Sequence, residues 1–100
     1  MAFVQIIEFQ TSRVDEMTKL GDEWESAAGG GTTARRRVLC QDRDNPARHF
    51  NIVFFDSYES AMENSDNPVT QDFSQKMMAL ADGPPTFYNL DVLQERELNQ

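Results

Sequence analysis

The first third of the chain carries a pattern of apolar and polar positions that predicts a strand followed by a helix. Residues 3–9 form a run of β-branched and aromatic side chains, typical of a strand that is covered on most of both faces. Ser12 is placed to cap a helix, with Asp15 three positions later. The next apolar residues recur at spacings of three and four, which predicts one buried helical stripe of Val14, Met17, Leu20, Trp24 and Ala27. Three glycines at positions 29–31 end this helix.

A β-hairpin is predicted next. Residues 32–41 begin with β-forming side chains and carry charge in the middle, which suits an edge strand because charge discourages wrong pairing. Residues 42–46 have the composition of a turn. Residues 48–55 are the most strand-like stretch of the chain, and we expect them at the centre of the sheet.

The last third predicts a split helical layer and a final strand. Asp56 or Ser57 caps a short helix over residues 58–65, with an alanine and a methionine turned inward. An Asn-Pro pair then breaks the layer and starts a second piece over residues 68–81, because proline is accepted at the first helical position. Its apolar stripe is Val69, Phe73, Met77 and Leu80. Residues 86–94 complete the set as a strand.

The order β-α-β-β-α-β predicts an α+β fold of the ferredoxin-like type, as a single domain over residues 1–100. Right-handed crossovers then require a four-stranded antiparallel sheet in the order 4-1-3-2, with the helices on one face. One helical layer covers only one face of such a sheet, yet both faces of the central strands are apolar. We therefore expect a homodimer in which a second copy covers the other face.

Composition excludes several classes of function. A net charge of −8 opposes binding to nucleic acid or to an anionic membrane surface. No apolar run approaches the roughly 20 residues of a membrane helix, and the N-terminus lacks the pattern of a signal peptide, so we expect a cytoplasmic protein. One cysteine and one histidine cannot build a closed zinc site. No glycine-rich nucleotide motif is present, so no organic cofactor is expected.

The stretch over residues 51–62, followed by Asn67, Pro68 and Phe73, resembles the third-strand-to-helix signature of the dimeric α/β-barrel superfamily, which includes antibiotic-biosynthesis monooxygenases. The resemblance implies a pocket between sheet and helices in each subunit, with the opposite sheet face buried against the partner. Families of this class include cofactor-independent monooxygenases acting on polyketides, haem-degrading oxygenases and ligand-sensing modules.

The haem-degrading branch uses an asparagine, a tryptophan and a haem-ligating histidine. The matching positions here hold Glu8, Asn64 or Ser65, and Phe73, and none of them fits. Phenylalanine cannot coordinate iron, so the resemblance predicts that the pocket binds neither haem nor flavin.

The candidate site is an apolar pocket lined by Trp24, Phe73 and Met77, because these side chains converge from two helices. His49, Asn51 or Glu8 would supply its few polar contacts. His49 is the candidate catalytic base, with a structural histidine as the alternative. Trp24 either packs in the core or forms a wall on which an aromatic ligand stacks.

The polar strand residues also leave alternatives open. Glu8 either pairs with an arginine or acts as a base of raised pKa that lines the pocket. Arg36 points away from Arg35 and Arg37, and these arginines form either a solvated edge or an anchor for an anion.

Three functions remain open on the sequence. The first is binding of a small apolar or aromatic ligand, with secondary metabolism as a context suggested only by the resemblance. The second is cofactor-independent oxygenation of an aromatic or polyketide-type substrate. The third is a non-catalytic interaction module whose dimer surface carries the function.

Overall fold

Four strands and three helices make up the fold in a computed structural model that describes residues 2–28 and 31–99. In chain order they are β1 (Phe3–Gln10), α1 (Val14–Ala28), β2 (Arg36–Gln41), β3 (Arg48–Phe55), α2 (Tyr58–Asp66), α3 (Pro68–Leu80) and β4 (Thr86–Asp91). The strands form one antiparallel sheet in the order β2-β3-β1-β4, and the helices lie on one side of it. The predicted ferredoxin-like fold and the strand order 4-1-3-2 are confirmed.

The start of α1 differs from the prediction. The helix begins at Val14, so Arg13 rather than Ser12 precedes its first residue. The Oγ1 atom of Thr11 accepts a hydrogen bond from the backbone N–H of Arg13 at 3.0 Å and donates one to the carbonyl of Leu80 at 2.9 Å. Thr11 therefore fixes the entry into α1 and ties it to the end of α3. Of the glycines predicted to end the helix, Gly29 and Gly30 lie outside the described residues.

Strand β2 is shorter than the predicted range 32–41. The threonines before it do not join the sheet, because their hydroxyls bond to helix α2: Thr33 donates to the carbonyl of Ser60 at 2.5 Å, and Thr32 donates to Asn64 at 2.8 Å. The split of the second helical layer is as predicted, since Ser57 caps α2 and Asn67 caps α3. The final strand ends at Asp91 rather than at residue 94.

The core lies between the sheet and the helices. Alternate residues of the central strands face this layer, among them Phe3, Ile7 and Phe9 of β1. The predicted stripe of α1 is buried at Met17, Leu20 and Trp24, whereas Ala27 is exposed, contrary to the prediction. In α3 the most buried residue is Met77, which is 1% exposed. In the part of the chain that the structure describes, no helix is long and apolar enough to cross a membrane.

The other face of the sheet is not covered by any of the described helices. Its residues alternate with those of the core and include Val4, Ile6, Val38, Phe50, Ile52, Phe54, Tyr88 and Leu90. In the single chain all of them are half-buried or exposed. We call this set the open sheet face.

Candidate functional site

A cavity of about 350 Å³ lies between the covered face of the sheet and the three helices. Its apolar wall is formed by Ile7, Trp24, Val53, Phe73 and Phe87. The strand residues reach it by period-two alternation, and the ladder places them in register: Ile7 of β1 stands opposite Asn51 of β3 and Phe87 of β4. The cavity therefore belongs to the centre of the sheet.

Trp24 is held in this wall from two sides. Its indole Nε1–H donates to the hydroxyl of Thr70 at 3.1 Å, and its ring is tilted against Phe73 with 6.1 Å between the centroids. A buried indole N–H needs such a partner. Trp24 is consequently fixed by contacts with α3 while one part of its surface lines the cavity.

A polar network continues from Trp24 across the helices. The hydroxyl of Thr70 donates to Oδ1 of Asn64 at 3.3 Å, and the same oxygen accepts from Thr32 at 2.8 Å. Asn64 is only 8% exposed and lines the cavity. Sequence reasoning did not assign it to the site, although it follows the inward-facing Ala61 by three positions, the spacing of one helical face.

Arg37 brings a positive charge to the cavity from strand β2. Its side chain is 17% exposed. Nη2 donates to the Glu25 carboxylate at 2.9 Å, and Nη1 lies 3.5 Å from Oδ1 of Asn51. The Nε atom of Arg37 is buried and has no hydrogen-bond partner among the described residues. The sequence predicted only that these arginines either form a solvated edge or anchor an anion, and the structure places one of them in the cavity wall.

Three of the predicted ligand-binding residues, Trp24, Asn51 and Phe73, line this cavity together. Met77 does not. It lies deeper in the core and borders a narrow gap of about 10 Å³ that also touches Asn51 and Phe73.

His49 is not brought to the cavity. It is 1% exposed, and its ring stacks on Phe9 with 5.5 Å between centroids and 14° between planes. Nδ1 lies 2.9 Å from the carbonyl oxygen of Ala47, and Nε2 lies 3.4 Å from Nε2 of Gln41. The described contacts of His49 are those of a packed structural histidine, and the prediction that it acts as a base gains no support from its position.

Glu8 also lies away from the cavity, because it faces the open side of the sheet. Its carboxylate accepts hydrogen bonds from Nε of Arg48 at 2.8 Å and from the hydroxyl of Tyr88 at 2.9 Å. Both bonds lower the pKa of Glu8, and the bond from Arg48 has the larger effect. The predicted pairing with an arginine is confirmed, and the alternative of a base with raised pKa in the pocket is wrong.

The two arginines beside Arg37 have surface partners. Arg35 donates from Nε and Nη2 to the same oxygen of Asp56, at 2.9 and 2.6 Å, and these bonds lower the pKa of that carboxyl. The guanidinium of Arg36 lies 5.0 Å from the ring centroid of Phe54, on the open sheet face. Arg37 is thus the member of the trio that reaches the cavity.

Comparison with solved structures identifies the fold. The cofactor-independent oxygenase SnoaB of Streptomyces nogalater superposes with a TM-score of 0.80 at 12% identity, covering 94% of this chain and 95% of its own. An antibiotic biosynthesis monooxygenase gives 0.74 at 14% identity, with 94% and 100% covered. A protein of Mycobacterium tuberculosis gives 0.79 at 15% identity, with 97% and 100% covered. The chain shares the ferredoxin-like α+β fold of these proteins. No protein-family model and no curated protein matches the sequence.

The cavity carries a single kind of charge among its described lining residues. Its remaining polar lining consists of uncharged groups, among them Gln5, Asn51, Asn64 and Thr70. Of the described residues that line it, Arg37 is the only one with an ionisable side chain. The arrangement can hold a flat apolar body against the aromatic side chains of Trp24, Phe73 and Phe87 and donate hydrogen bonds to oxygen atoms on it.

Proposed function

We propose that this chain binds a small, flat aromatic ligand in the cavity between sheet and helices. The observation that carries the proposal is the cavity itself, with the aromatic walls of Trp24 and Phe73 and a few polar groups that converge on it. Its volume of about 350 Å³ lies within the range of small-molecule sites. Trp24, Asn51 and Phe73 are the proposed contacts.

Binding is favoured over base-driven catalysis by the chemistry of the lining. A general base must lie within hydrogen-bond reach of the proton that it removes. No carboxylate, imidazole or thiol is found among the described lining residues, and an arginine stays protonated. The described lining residues can orient a ligand but offer no acceptor for its proton.

Cofactor-independent oxygenation is the second candidate, favoured by the similarity in fold to SnoaB. In that case the substrate must lose its proton to solvent, and the cavity contributes by stabilising the resulting enolate. Arg37 and the amide of Asn51 are the groups available for this. The proposal retains the expectation that neither haem nor flavin takes part.

A homodimer is part of the proposal. Uncovered, the open sheet face is a contiguous apolar surface at the centre of the sheet, with Ile6 and Ile52 paired across β1 and β3. The resemblance to dimeric α/β-barrel proteins supports a second copy of this chain as the occupant.

Ligand binding is tested by titrating flat aromatic compounds against the fluorescence of Trp24, the single tryptophan. We expect saturable quenching, weakened by Phe73→Ala and unchanged by Met78→Ala, which alters an exposed residue of the same helix.

Oxygen uptake on polycyclic phenols is measured in parallel. Quenching without uptake supports a binding protein, and uptake that survives His49→Gln supports the oxygenase without a histidine base. No response to any ligand argues against the pocket and leaves the interaction module.

The dimer is tested by sedimentation at micromolar concentration. We expect twice the mass of one chain, and a shift toward monomer for Ile52→Glu. Thr18→Glu, on the exposed side of α1, is the control and should remain dimeric. A native protein that stays monomeric over this range contradicts the proposal.

A further inference from the structure

We infer that Arg37 anchors a carboxylate, so that the ligand is an aromatic carboxylate rather than a neutral aromatic compound. The inference rests on the proposed function, because it concerns the same cavity. It specifies the polar group of the ligand, because the aromatic side chains of the cavity select only for the ring system.

The guanidinium of Arg37 has unused hydrogen-bonding capacity. An arginine offers five N–H donors in a planar fork. Glu25 takes one of them at 2.9 Å, and the contact with Asn51 is at the 3.5 Å limit of a hydrogen bond. Within residues 2–28 and 31–99, Nε has no partner although it is buried. Buried polar groups are nearly always paired, so a guanidinium with unused N–H groups in the wall of a ligand-sized cavity favours an acceptor at this place. Nε itself is enclosed, so the remaining N–H groups of Nη1 and Nη2 are the ones that can meet the two oxygens of a carboxylate.

Helix α1 is adapted to this guanidinium at Gly21. A β-carbon at position 21 would lie 2.7 Å from Nη2 and 3.0 Å from Nη1 of Arg37. Glycine is disfavoured in the interior of a helix. The backbone conformation does not require a glycine at position 21, because among the described glycines it is Gly83 that has a positive φ. The residue is therefore explained by the space that it leaves for the arginine head group.

The charge balance favours an anion at this place. The chain carries a net charge of −8, so its general field repels anionic ligands, and a local cation has to overcome that field. The present partner of Arg37 is Glu25, whose side chain is 58% exposed. Solvent screens such an exposed carboxylate, whereas a ligand carboxylate in the cavity would meet the guanidinium away from water. Glu25 then competes with the ligand for the same cation.

The test compares 2-naphthoate with 2-naphthamide, which share the ring system and differ in charge. Both are titrated calorimetrically into the native protein and four variants. We expect the Kd of naphthoate to be lower than that of naphthamide by roughly tenfold or more, as for a charge-assisted hydrogen bond. Arg37→Gln should abolish this preference. Gly21→Ala should reduce it, since the added methyl displaces the guanidinium, and Glu25→Gln should increase it. Arg35→Gln, whose guanidinium pairs with Asp56 at the surface, is the matched control and should leave the preference unchanged.

The outcomes separate this inference from the proposed function. Equal affinity for the two compounds overturns the anchor while the binding pocket stands. A preference that survives in both Arg37→Gln and Gly21→Ala overturns it as well. No binding of either compound overturns both statements. If Arg37→Gln fails to fold, as judged by circular dichroism, the opposite shifts expected for Gly21→Ala and Glu25→Gln decide, because neither removes the buried charge.

Discussion

Replacing Thr70 by valine tests the polar network that holds Trp24 in the cavity wall. The substitution keeps the shape of the side chain and removes one hydroxyl, which accepts from the indole of Trp24 and donates to Asn64. Oδ1 of Asn64 loses the hydrogen bond from Thr70 but keeps the shorter one from Thr32, so it still has a partner. The indole of Trp24 has no other described hydrogen bond, and the residue is 9% exposed. The main effect is therefore one donor left without a partner inside the protein.

The expected loss of stability follows from that donor. A buried polar group that loses its partner costs about 1–3 kcal/mol. We expect the lower half of this range, about 1–2 kcal/mol, because Thr70 is only half-buried and water can reach its side of the contact. For a domain of this size, 1 kcal/mol corresponds to roughly 4–8 °C in Tm.

Thermal and urea unfolding, followed by Trp24 fluorescence and circular dichroism at fixed protein concentration, measure this loss. Thr18→Val is the matched control, since its hydroxyl bonds only to the carbonyl of Val14 on the exposed side of α1. We expect that control to change the free energy of unfolding by less than about 0.5 kcal/mol. Equal effects of the two substitutions would refute the role assigned to the network.

Three further predictions address single contacts. Glu8→Gln should make Tm fall less steeply in acid. The pKa of Glu8 in the folded protein lies below its ordinary value of 4.5, so its pairing stabilises the fold above pH 4.5, and this stability is lost as the pH falls through the folded pKa. Thermal melts from pH 6 to pH 2 measure this slope. Ser57→Ala should destabilise by about 0.5–2 kcal/mol through loss of the α2 cap, whereas Ser12→Ala should change little, and equal urea midpoints would contradict the cap assignment. Met77→Ala should cost about 2–5 kcal/mol and Met78→Ala under about 0.5 kcal/mol, and a small effect at Met77 would show that it is not packed as described.

The fold could be predicted from local patterns because each element carried its own boundary signals. Strand β3 has the predicted bounds, since a turn precedes it and the cap residue Ser57 follows it closely. The start of β2 was missed for the opposite reason. Thr32 and Thr33 have high strand propensity, but their hydroxyls bond to α2, and such tertiary contacts override local preference.

The site was predicted only in part, because alternation gives the face of a side chain and not its depth or partners. The odd-numbered residues of β3 do share one face, yet His49 is sealed against Phe9 while Asn51 borders the cavity. Neighbouring residues of a strand point to opposite faces of the sheet. Glu8 therefore lies on the open sheet face, because the helices cover the face of Ile7. The approach of Arg37 to Gly21 depends on how α1 crosses the sheet, and no spacing in the sequence encodes it.

One rule connects the well-explained part of the cavity with the proposed one. Buried polar groups in the wall obtain hydrogen bonds from other elements of the chain, as Trp24 does from Thr70 and Asn64 does from Thr32. Arg37 departs from this rule, because its terminal nitrogens have spare N–H groups and its Nε has no partner among the described residues, although helix α1 gives up a side chain at Gly21 to accommodate its head group. A position that costs helix propensity and still leaves a buried donor unpaired is poorly explained by folding alone. The proposed ligand carboxylate would use the spare N–H groups of the terminal nitrogens of Arg37, and the neighbouring cavity is where it would bind.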